Sequence, residues 1–315
     1  MTHPDVDVDR SAGGLAEKYG QDLLDHPPLI TRERLVEKLA LRDELDPHFA
    51  RISMDFVSRV CRRPGLDVRS RYLVQIGQFA VSKSHGHLED ALRGSIEAGV
   101  SPRESLEAVL LTHIYSGDTV LEPALAIFAR VARETGAIDA LRDGQLPLDG
   151  TDATRDYDAE AAAWPPDIAA DPRRQPLMDR HGWRGVSTGI RYRGKTHLDI
   201  LAGLDREDSE FAGLWLRFAY AGLYSRWILD DKTRLLCTTG DCLALGAAAA
   251  ASAKDHMQEA LHFGSTPLEL LDMIYMSGVF FGFPGMTAAR MTLLAILREE
   301  GRIGELGSFG VDGNG

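Results

Sequence analysis

"SAKDHMQEALHFGSTPLELLD", residues Ser252 to Asp272, contains the signals of two helices and of the turn between them. Its first part has the composition of a helix, and a small polar turn follows. Thr266 is then placed to cap a second helix, with Pro267 at the first helical position and Glu269 three residues after the cap. A threonine and a glutamate at this spacing form a capping box, in which each side chain bonds the other residue's N–H. The stretch therefore predicts two helices joined by a tight turn.

The same device occurs earlier in the chain, so the sequence contains a repeat. "AGVSPRESLEAVL" (98–110) aligns with "FGSTPLELLDMIY" (263–275) at an offset of 165 residues. Ser101 and Glu104 predict a second capping box there. Nearly constant offsets over a long span indicate a duplicated unit. The other matching pairs are 43–56 with 205–218, at an offset of 162, and 66–77 with 229–240, at an offset of 163.

Both copies have the pattern of helices. Apolar residues recur at helical spacing after Asp46 and Asp208, which occupy matching N-cap positions. No alternating strand pattern or asparagine–glycine hairpin competes, so we predict an all-α protein. The expected divisions are an N-terminal extension (1–30), repeat 1 (31–142), a surface linker rich in Pro, Asp and Gly (143–180), repeat 2 (181–304) and a flexible tail (305–315).

The composition restricts the class of protein. The chain has 315 residues, 44% hydrophobic and 26% charged, which is typical of a folded soluble protein. A formal net charge of −12 disfavours nucleic acid or an anionic membrane as a partner. The first thirty residues have no apolar signal core, and the longest apolar run, 242–253, is shorter than the roughly 20 residues of a membrane span. Three cysteines without metal-binding spacing are expected to be reduced, in the cytoplasm.

The segment "HMQEALHFGSTPLELLDMIYMSGVFFGFPGMTAA" (256–289) resembles the carboxymuconolactone decarboxylase family, which includes the AhpD-like reductases. The resemblance is carried by His256, by Gly264 eight positions later, and by the "FFGFP" step at 280–284. Copy one shares the pattern through 91–117. The resemblance implies an AhpD-like helical fold for each repeat, with the two tandem repeats packed as a pseudo-dimer. It also implies assembly into a homo-oligomer, a dimer or a trimer.

AhpD-like members are expected to have two cysteines on the turns before the histidine, and this chain has none there. The corresponding positions are Ala249 and Ser252 in copy two, and Ser84 and His87 in copy one. Disulfide exchange needs a thiolate, so the chain is not expected to be a C-x-x-C peroxidase. The family's acidic partner, expected upstream of the histidine, has no clean counterpart. Decarboxylation, or a related proton transfer, is the chemistry that the resemblance then implies.

The leading functional prediction is a cofactor-free decarboxylase, or a related proton-transfer lyase or isomerase, that acts on a small carbonyl or lactone carboxylic acid. His256 would be the general acid or base, because an imidazole titrates near neutral pH. Ala249, Ser252, His256 and Ala260 share one helix face, and their small side chains leave space that a ligand could occupy. The alternative for His256 is a core histidine bonded to a backbone carbonyl.

Two more histidines could assist His256 as catalytic residues. Copy one has Ala91 at the aligned position, and His87 lies one turn earlier on the same face. Lys83, at i−4 from His87, would lower the pKa of His87 by like-charge repulsion. A solvated helix end is the alternative for this segment. His113 lies among leucines and valines, where a polar side chain either has a buried partner or lines a cavity.

Five charged side chains are candidates for binding the substrate, and Lys83, beside His87, is the first of them. Arg71 and Arg234 occupy matched positions in the two copies and could clamp a carboxylate bidentately. An ion pair inside each repeat is the alternative for both. Asp118 and Glu122 occur in copy one only and could bind or polarise a substrate, whereas the alternative is a solvated helix face.

Two other functions stay open at this point. A metal-dependent oxygenase would bind non-haem iron, or another transition metal, through His85, His87, His113 and His256, although their spacing is no ligand signature. A non-catalytic binding or scaffold protein would explain why the cysteines, and one copy's histidine, are missing. Under the leading prediction no metal or cofactor is needed, and the partner is a small-molecule acid.

Overall fold

The computed structural model of the protein describes residues 9–25, 29–141 and 164–307. Every regular element in these residues is helical, which confirms the predicted all-α class. A π-helix, Leu216–Tyr224, follows α13 directly. The α-helices are α1 (Ala12–Tyr19), α2 (Gln21–Asp25), α3 (Arg32–Leu45), α4 (Pro47–Cys61), α5 (Val68–Val81), α6 (His85–Glu97), α7 (Pro102–Ser116), α8 (Asp118–Glu134), α9 (Pro166–Ala169), α10 (Arg174–His181), α11 (Trp183–Arg193), α12 (Lys195–Glu207), α13 (Ser209–Trp215), α14 (Asp231–Leu245), α15 (Ala250–His262), α16 (Pro267–Phe281) and α17 (Phe283–Glu299).

The chain divides into two compact units, and their boundaries differ from those of the sequence repeats. Unit 1 consists of 1–141 and 231–315, and unit 2 consists of 142–230. Unit 1 therefore contains repeat 1 together with α14 to α17, the last four helices of repeat 2. The reason is the packing of α14 against α5, its counterpart in repeat 1. The beginning of repeat 2, predicted from residue 181, belongs to unit 2.

The duplication is visible in the lengths of the helices. The pair α6 and α15 has 13 residues each, α7 and α16 have 15 each, and α8 and α17 have 17 each. The turn before α7 contains Gly99 with φ +78°, and the turn before α16 contains Gly264 with φ +90°. Glycine enters this left-handed region without steric strain, so it ends the preceding helix in both copies.

The N-caps predicted from the sequence are present at three of the four positions. Asp46 and Asp208 each accept a hydrogen bond from the N–H three residues later. The capping box of α16 is also confirmed, because the N–H of Thr266 donates to Glu269 at 2.7 Å and the N–H of Glu269 donates to the threonine hydroxyl at 3.1 Å. These bonds satisfy N–H groups that a helix end otherwise leaves open.

The prediction of a second capping box at Ser101 is wrong. The Ser101 side chain makes no capping hydrogen bond. Its expected partner, Glu104, instead accepts two hydrogen bonds from the guanidinium of Arg69, at 2.6 and 3.0 Å. Both bonds end on Oε1 of Glu104, and charge-assisted bonds of this kind are stronger than a bond to a neutral N–H, so the arginine binds the carboxylate.

Two glycines let α5 and α14 approach closely in unit 1. A Cβ at Gly77 would overlap Oδ1 of Asp241, and a Cβ at Gly240 would lie 2.7 Å from Cγ1 of Val74. Gln78, the counterpart of Asp241 at the offset of 163, donates from Nε2 to the carbonyl of Gly240 at 3.2 Å. Asp241 is fully buried, and its carboxyl oxygens have no hydrogen-bond partner among the described residues. Burial therefore raises the pKa of Asp241 well above its ordinary value.

The predicted N-terminal extension is packed against repeat 1. Leu15 and Leu24, on α1 and α2, are fully buried in one apolar cluster with residues of α3 and α4. Lys18 donates from Nζ to Oδ1 of the buried Asp43 at 2.5 Å, which ties α1 to α3. The described part of the extension is therefore packed on the folded core, because its leucines have an apolar surface to cover.

The predicted surface linker is helical at its C-terminal end. Residues 166–169 and 174–181 form α9 and α10, and Leu177 and Met178 are buried. This differs from the expectation of an unpacked segment, since the apolar pair at 177–178 lies between polar residues and gives little sequence signal. The rest of the linker, 143–163, and most of the predicted tail, 308–315, lie outside the described residues.

Residues 231–262 are the one stretch of the described chain with the length and apolar composition of a membrane span. In the structure this stretch is two helices, α14 and α15, which pack against each other after a turn at Gly246 with φ +66°. Inside the fold, 44% of the apolar window is buried. Core helices commonly have the same composition, so the stretch is weak evidence for a span.

Unit 2 contains a fully buried histidine, His197 on α12. Its ring occupies the space where a Cβ at Gly189 would stand, and it packs on Tyr220 of the π-helix with 4.5 Å between ring centroids. Neither ring nitrogen has a hydrogen-bond partner among the described residues. Burial, with a smaller contribution from the charge of Arg193, lowers the pKa of His197 to about 3. The ring is therefore neutral at ordinary pH.

Candidate active site

A chain of hydrogen bonds joins three side chains of unit 1, and we call this group the Tyr115 relay. Nδ1 of His256 is 2.7 Å from Oε2 of Glu259, and Nε2 of His256 is 2.7 Å from the hydroxyl of Tyr115. His256 is only 3% exposed and Glu259 is buried, whereas Tyr115 is half-buried. The tyrosine is thus the member of the relay that is most open to another molecule.

Two helices from different copies hold the relay in place. His256 and Glu259 are three residues apart on α15, so they lie on the same side of that helix. Tyr115 is in the last turn of α7, and its ring meets the imidazole edge-to-face with 5.6 Å between centroids. Because α7 belongs to copy one and α15 to copy two, the relay requires both copies.

The hydrogen bonds determine where the proton of His256 lies. An ionised carboxylate can only accept, so Glu259 places the imidazole proton on Nδ1. Nε2 of the neutral ring is then an acceptor, and the phenol of Tyr115 donates to it. In this state the tyrosine oxygen can take a proton from a bound molecule while its own proton passes to His256. When the imidazole is protonated, the same transfer can run in the opposite direction.

Of the three members of the relay, His256 was predicted from the sequence, and Tyr115 and Glu259 were missed. The expected acidic partner has no counterpart upstream of His256. Glu259, three residues downstream, bonds the imidazole instead. The i, i+3 spacing of the two residues was the sequence signal for this contact. Tyr115 was missed as a functional residue. The sequence contains one signal for Tyr115: the aligned residue in copy two is Phe280, so only copy one has a hydroxyl at this position. His256 bonds two side chains rather than a backbone carbonyl, so the predicted structural alternative does not have the expected form.

The space that was predicted beside His256 lies on a neighbouring face of α15. A cavity of about 520 Å³ opens between α14, α15, α16 and α17, and we call it the alanine cavity. Ala250, Ala253 and Met257 form its α15 wall, and His256 is not among its lining residues. The expectation of open space on the His256 face is therefore corrected, because Tyr115 reaches the imidazole there.

His87 lines a second and smaller cavity, of about 200 Å³, which we call the His87 cavity. Its ring packs against Phe79 with 5.2 Å between centroids. Desolvation of the ring lowers the pKa of His87, and the charges of Lys38 and Arg42 lower this pKa further. The expectation that Lys83 has this effect is wrong. Lys83 lies in the turn before α6, with φ +57°, and not on the helix face of His87.

His113 pairs with Asp118 at the surface. Nε2 of His113 is 2.9 Å from Oδ1 of Asp118, and the carboxylate side chain is 74% exposed. Glu122, one turn later on α8, is also exposed. None of the three residues lines the alanine cavity or the His87 cavity. The structure thus favours the solvated-face alternative for Asp118 and Glu122.

The two matched arginines lie away from both cavities. Arg71 donates from Nη2 to the carbonyl of Arg63, and burial is the main cause that lowers the pKa of Arg71. Arg234 is fully buried in unit 1. Neither arginine lines the alanine cavity or the His87 cavity. The arginine that does line a cavity is Arg42, which the sequence did not single out because its position has no arginine in copy two.

The four histidines of the predicted iron site are not gathered into a ligand set. Within residues 9–25, 29–141 and 164–307, no group of three or more His, Cys, Asp or Glu side chains is placed to hold a metal ion. His113 and His256 are engaged with Asp118 and Tyr115 respectively. The described part of the chain therefore gives the iron alternative no support.

Comparison with known proteins finds similarity to a curated protein and to solved structures. No family model matches the chain. An uncharacterised 15.0 kDa protein from the nqo9–nqo10 intergenic region of Paracoccus denitrificans is 32% identical over 85 residues, which are 27% of this chain. The chain spans 63% of the length of that relative. A Burkholderia xenovorans crystal structure, provisionally assigned as a gamma-carboxymuconolactone decarboxylase subunit, is similar with a TM-score of 0.49 and 19% identity, over 90% of this chain and 95% of that one.

Proposed function

We propose that the chain is a cofactor-free proton-transfer enzyme, a decarboxylase or a related lyase or isomerase, whose acid and base is the Tyr115 relay. The substrate is a small carbonyl or lactone carboxylic acid, the class that the family resemblance implies. One observation carries the proposal: the hydroxyl of Tyr115 is 2.7 Å from Nε2 of an imidazole whose Nδ1 is held by Glu259. A carboxylate, an imidazole and a hydroxyl in this order can move a proton in either direction.

Each member of the relay has a separate role in the proposed reaction. In decarboxylation His256 starts as the imidazolium, the bond to the carboxylate carbon breaks, carbon dioxide leaves, and the electron pair forms an enolate. The enolate carbon takes the proton of Tyr115, Nε2 of His256 gives its proton to the tyrosine oxygen, and solvent then reprotonates Nε2. In isomerisation the oxygen of Tyr115 takes a proton from one carbon and returns one to another. Glu259 stabilises the imidazolium form in both reactions.

Deuterium incorporation tests this proposal without a known product. The full chain is incubated in heavy water with a panel of lactone and keto carboxylic acids, carboxymuconolactone included, and mass spectrometry follows carbon-bound deuterium. The wild type is expected to incorporate deuterium into one class of acid, or into the product that remains when such an acid loses carbon dioxide. Tyr115→Phe and His256→Gln are each expected to slow incorporation about 10²- to 10⁴-fold, the usual contribution of a positioned acid or base.

Tyr275→Phe is the matched control for Tyr115→Phe. Tyr275 is a half-buried tyrosine on α16, the counterpart of α7, and the guanidinium of Arg63 lies 5.0 Å from its ring centroid. This variant loses a phenol outside the relay and is expected to keep the wild-type rate. A Tyr115→Phe protein that is as fast as Tyr275→Phe would refute the relay.

A non-catalytic binding protein is the second candidate, and one observation favours it. His256 is 3% exposed and lines neither cavity, whereas the apolar alanine cavity of about 520 Å³ is large enough for a small molecule. This function predicts no deuterium incorporation from any acid in the panel. It also predicts saturable binding of an apolar probe such as indole, lost when Ala250→Trp fills the cavity wall.

We also propose that the chain assembles into a homo-oligomer, a dimer or a trimer. Both copies expose apolar side chains at matching helix positions, and such faces usually mark contact surfaces. Sedimentation of the wild type and of Ile52→Glu tests this, since a charge in the interface should shift the protein to monomer. The exposed pairs are Phe49 with Phe211, Ile52 with Leu214, and Phe56 with Phe218.

A further inference from the structure

The walls of the His87 cavity suit a single apolar ring. Helices α3, α4, α5, α6 and the end of α16 surround it, all in unit 1. Phe79 and Phe280 meet edge-to-face in its wall with 4.9 Å between ring centroids, and His87 lies 6.1 Å from Phe280. An apolar cavity of about 150 Å³ is enough to hold benzene. At about 200 Å³, this cavity has room for one ring with a small substituent.

Arg42 brings a positive charge to this cavity without an acidic partner among the described residues. Its Nη1 is 2.8 Å from Sδ of Met54 and 3.4 Å from the hydroxyl of Ser53. The side chain is half-buried, and burial lowers the pKa of Arg42. A partly desolvated guanidinium is poorly compensated by a thioether and a hydroxyl. Its preferred partner is a carboxylate, which can accept two parallel hydrogen bonds.

The other charged groups at the cavity do not neutralise Arg42. Lys38 lines the same wall and donates to Oδ2 of the buried Asp90. Arg34 donates to Oδ1 of the same carboxylate at 2.8 Å. Arg34 also pairs with the exposed carboxylate of Glu37, so two carboxylates match these two cations and the guanidinium of Arg42 is the positive charge left over. A ligand with a negative charge is therefore favoured.

Copy two lacks these cations at the matching positions. At the offset of 162 residues, Lys38 corresponds to Ile200 and Arg42 to Leu204. The aromatic residue beside the imidazole also differs, because Phe280 stands near His87 where Tyr115 stands beside His256. His87 therefore has an apolar ring in place of a hydroxyl, and the difference between the copies is one of charge and polarity.

We propose that the His87 cavity is a binding site for a monocarboxylate with one apolar ring, its ring against Phe79 and Phe280 and its carboxylate on Arg42. Benzoate has this chemistry and is the simplest probe. The site is separate from the Tyr115 relay and requires no proton transfer. It takes a ligand of the same acid class as the proposed substrate, but its existence does not rest on the proposed function.

Direct binding to the full chain tests the site. Titration calorimetry and ligand-observed NMR measure the affinity for benzoate and for benzyl alcohol, which has the same ring without the charge. Arg42→Met is expected to weaken benzoate about 10- to 100-fold, the usual effect of losing a charge-assisted hydrogen bond, and to leave benzyl alcohol unchanged. Phe280→Trp fills the cavity and is expected to abolish binding of both, so it tests the location even if Arg42→Met folds poorly.

Arg59→Met is the matched control, because Arg59 is an exposed arginine of unit 1 that pairs with Asp55 on α4 at 2.7 Å. It removes one positive charge from unit 1 and should leave benzoate binding unchanged. The proposal is overturned by any of three results: no saturable benzoate binding up to about 10 mM, equal affinity in Arg42→Met, or inorganic phosphate binding as tightly as benzoate. Because binding is read directly, failure here leaves the relay untouched, and failure of the relay leaves this site untouched.

Discussion

The carboxyl group of Asp241 occupies the space that a side chain at Gly77 would need. The two residues lie where α5 and α14, the same helix in each copy, pack against each other. On the other side of this contact the Gln78 amide lies against Gly240. Each helix thus has a glycine where the polar side chain of the other helix packs, and we expect the stability of unit 1 to depend on both glycines.

We expect Gly77→Ala to destabilise the protein by about 1–3 kcal/mol, because a methyl group would overpack the contact with Asp241. Urea unfolding measures the change. Asp241→Ala in the same chain should recover part of the loss, since it removes the overlapping oxygen. Gly86→Ala on α6 is the control, because its Cβ would meet open space. Additive effects of the two substitutions at positions 77 and 241 would contradict the contact.

We expect Asp241→Asn to stabilise the protein at neutral pH. The folded pKa of Asp241 is raised by burial, so unfolding releases a proton and stability falls as pH rises from about 4 toward the folded pKa. The neutral amide removes this dependence. The variant's advantage in unfolding free energy should grow by up to about 1.4 kcal/mol per pH unit over that window. Urea unfolding of wild type and variant at pH 4 and pH 7 measures this advantage. An advantage that shrinks as pH rises would contradict the prediction.

For the buried His197 of unit 2 we predict that stability depends on pH in the opposite direction. Its folded pKa of about 3 lies below the unfolded value near 6.5, so the unfolded state binds a proton that the folded state excludes. Stability is then lost as pH falls from about 6.5 toward 3. His197→Phe keeps an aromatic ring beside Tyr220 and should flatten this part of the profile by about 1.4 kcal/mol per pH unit. Equal profiles for wild type and variant between pH 6 and pH 4 would disprove the assignment.

The unequal caps of α7 and α16 give a matched pair of substitutions. Thr266→Ala should cost about 1 kcal/mol, because it opens the capping box with Glu269. Ser101→Ala should cost only a few tenths of that amount, since the Ser101 side chain makes no capping bond. Thermal or urea unfolding of both variants checks the difference. Similar losses would mean that Ser101 caps α7 in solution.

Within the relay, Glu259→Gln tests the proton position on His256. A glutamine can donate as well as accept, so Nδ1 is no longer fixed as the protonated nitrogen and the imidazolium loses its counter-charge. We expect deuterium incorporation to slow about 10²- to 10⁴-fold, as when a triad carboxylate is replaced by its amide. An unchanged rate would show that Glu259 has no role in proton transfer. Circular dichroism controls for loss of the fold.

The all-α class was predictable from the sequence because its signals are local. Apolar spacing and caps act within one or two turns, and the duplication confirmed them twice. The relay was not predictable, because Tyr115 and His256 are 141 residues apart and meet only where two copies pack. The failed cap at Ser101 has the same cause, since Arg69 on another helix takes the carboxylate of Glu104. Local sequence patterns therefore predict the helices, whereas the contacts between helices that form the site are not contained in those patterns.

The pair Tyr115 and Phe280 shows what fusion of the two copies allows. In an assembly of identical chains with two-fold symmetry, every substitution appears in both halves, so a hydroxyl lost from one site is lost from its mate. One polypeptide that contains both halves is free of this constraint. The two halves can therefore differ, with a hydrogen-bonded imidazole beside Tyr115 in one and cations around Phe280 in the other.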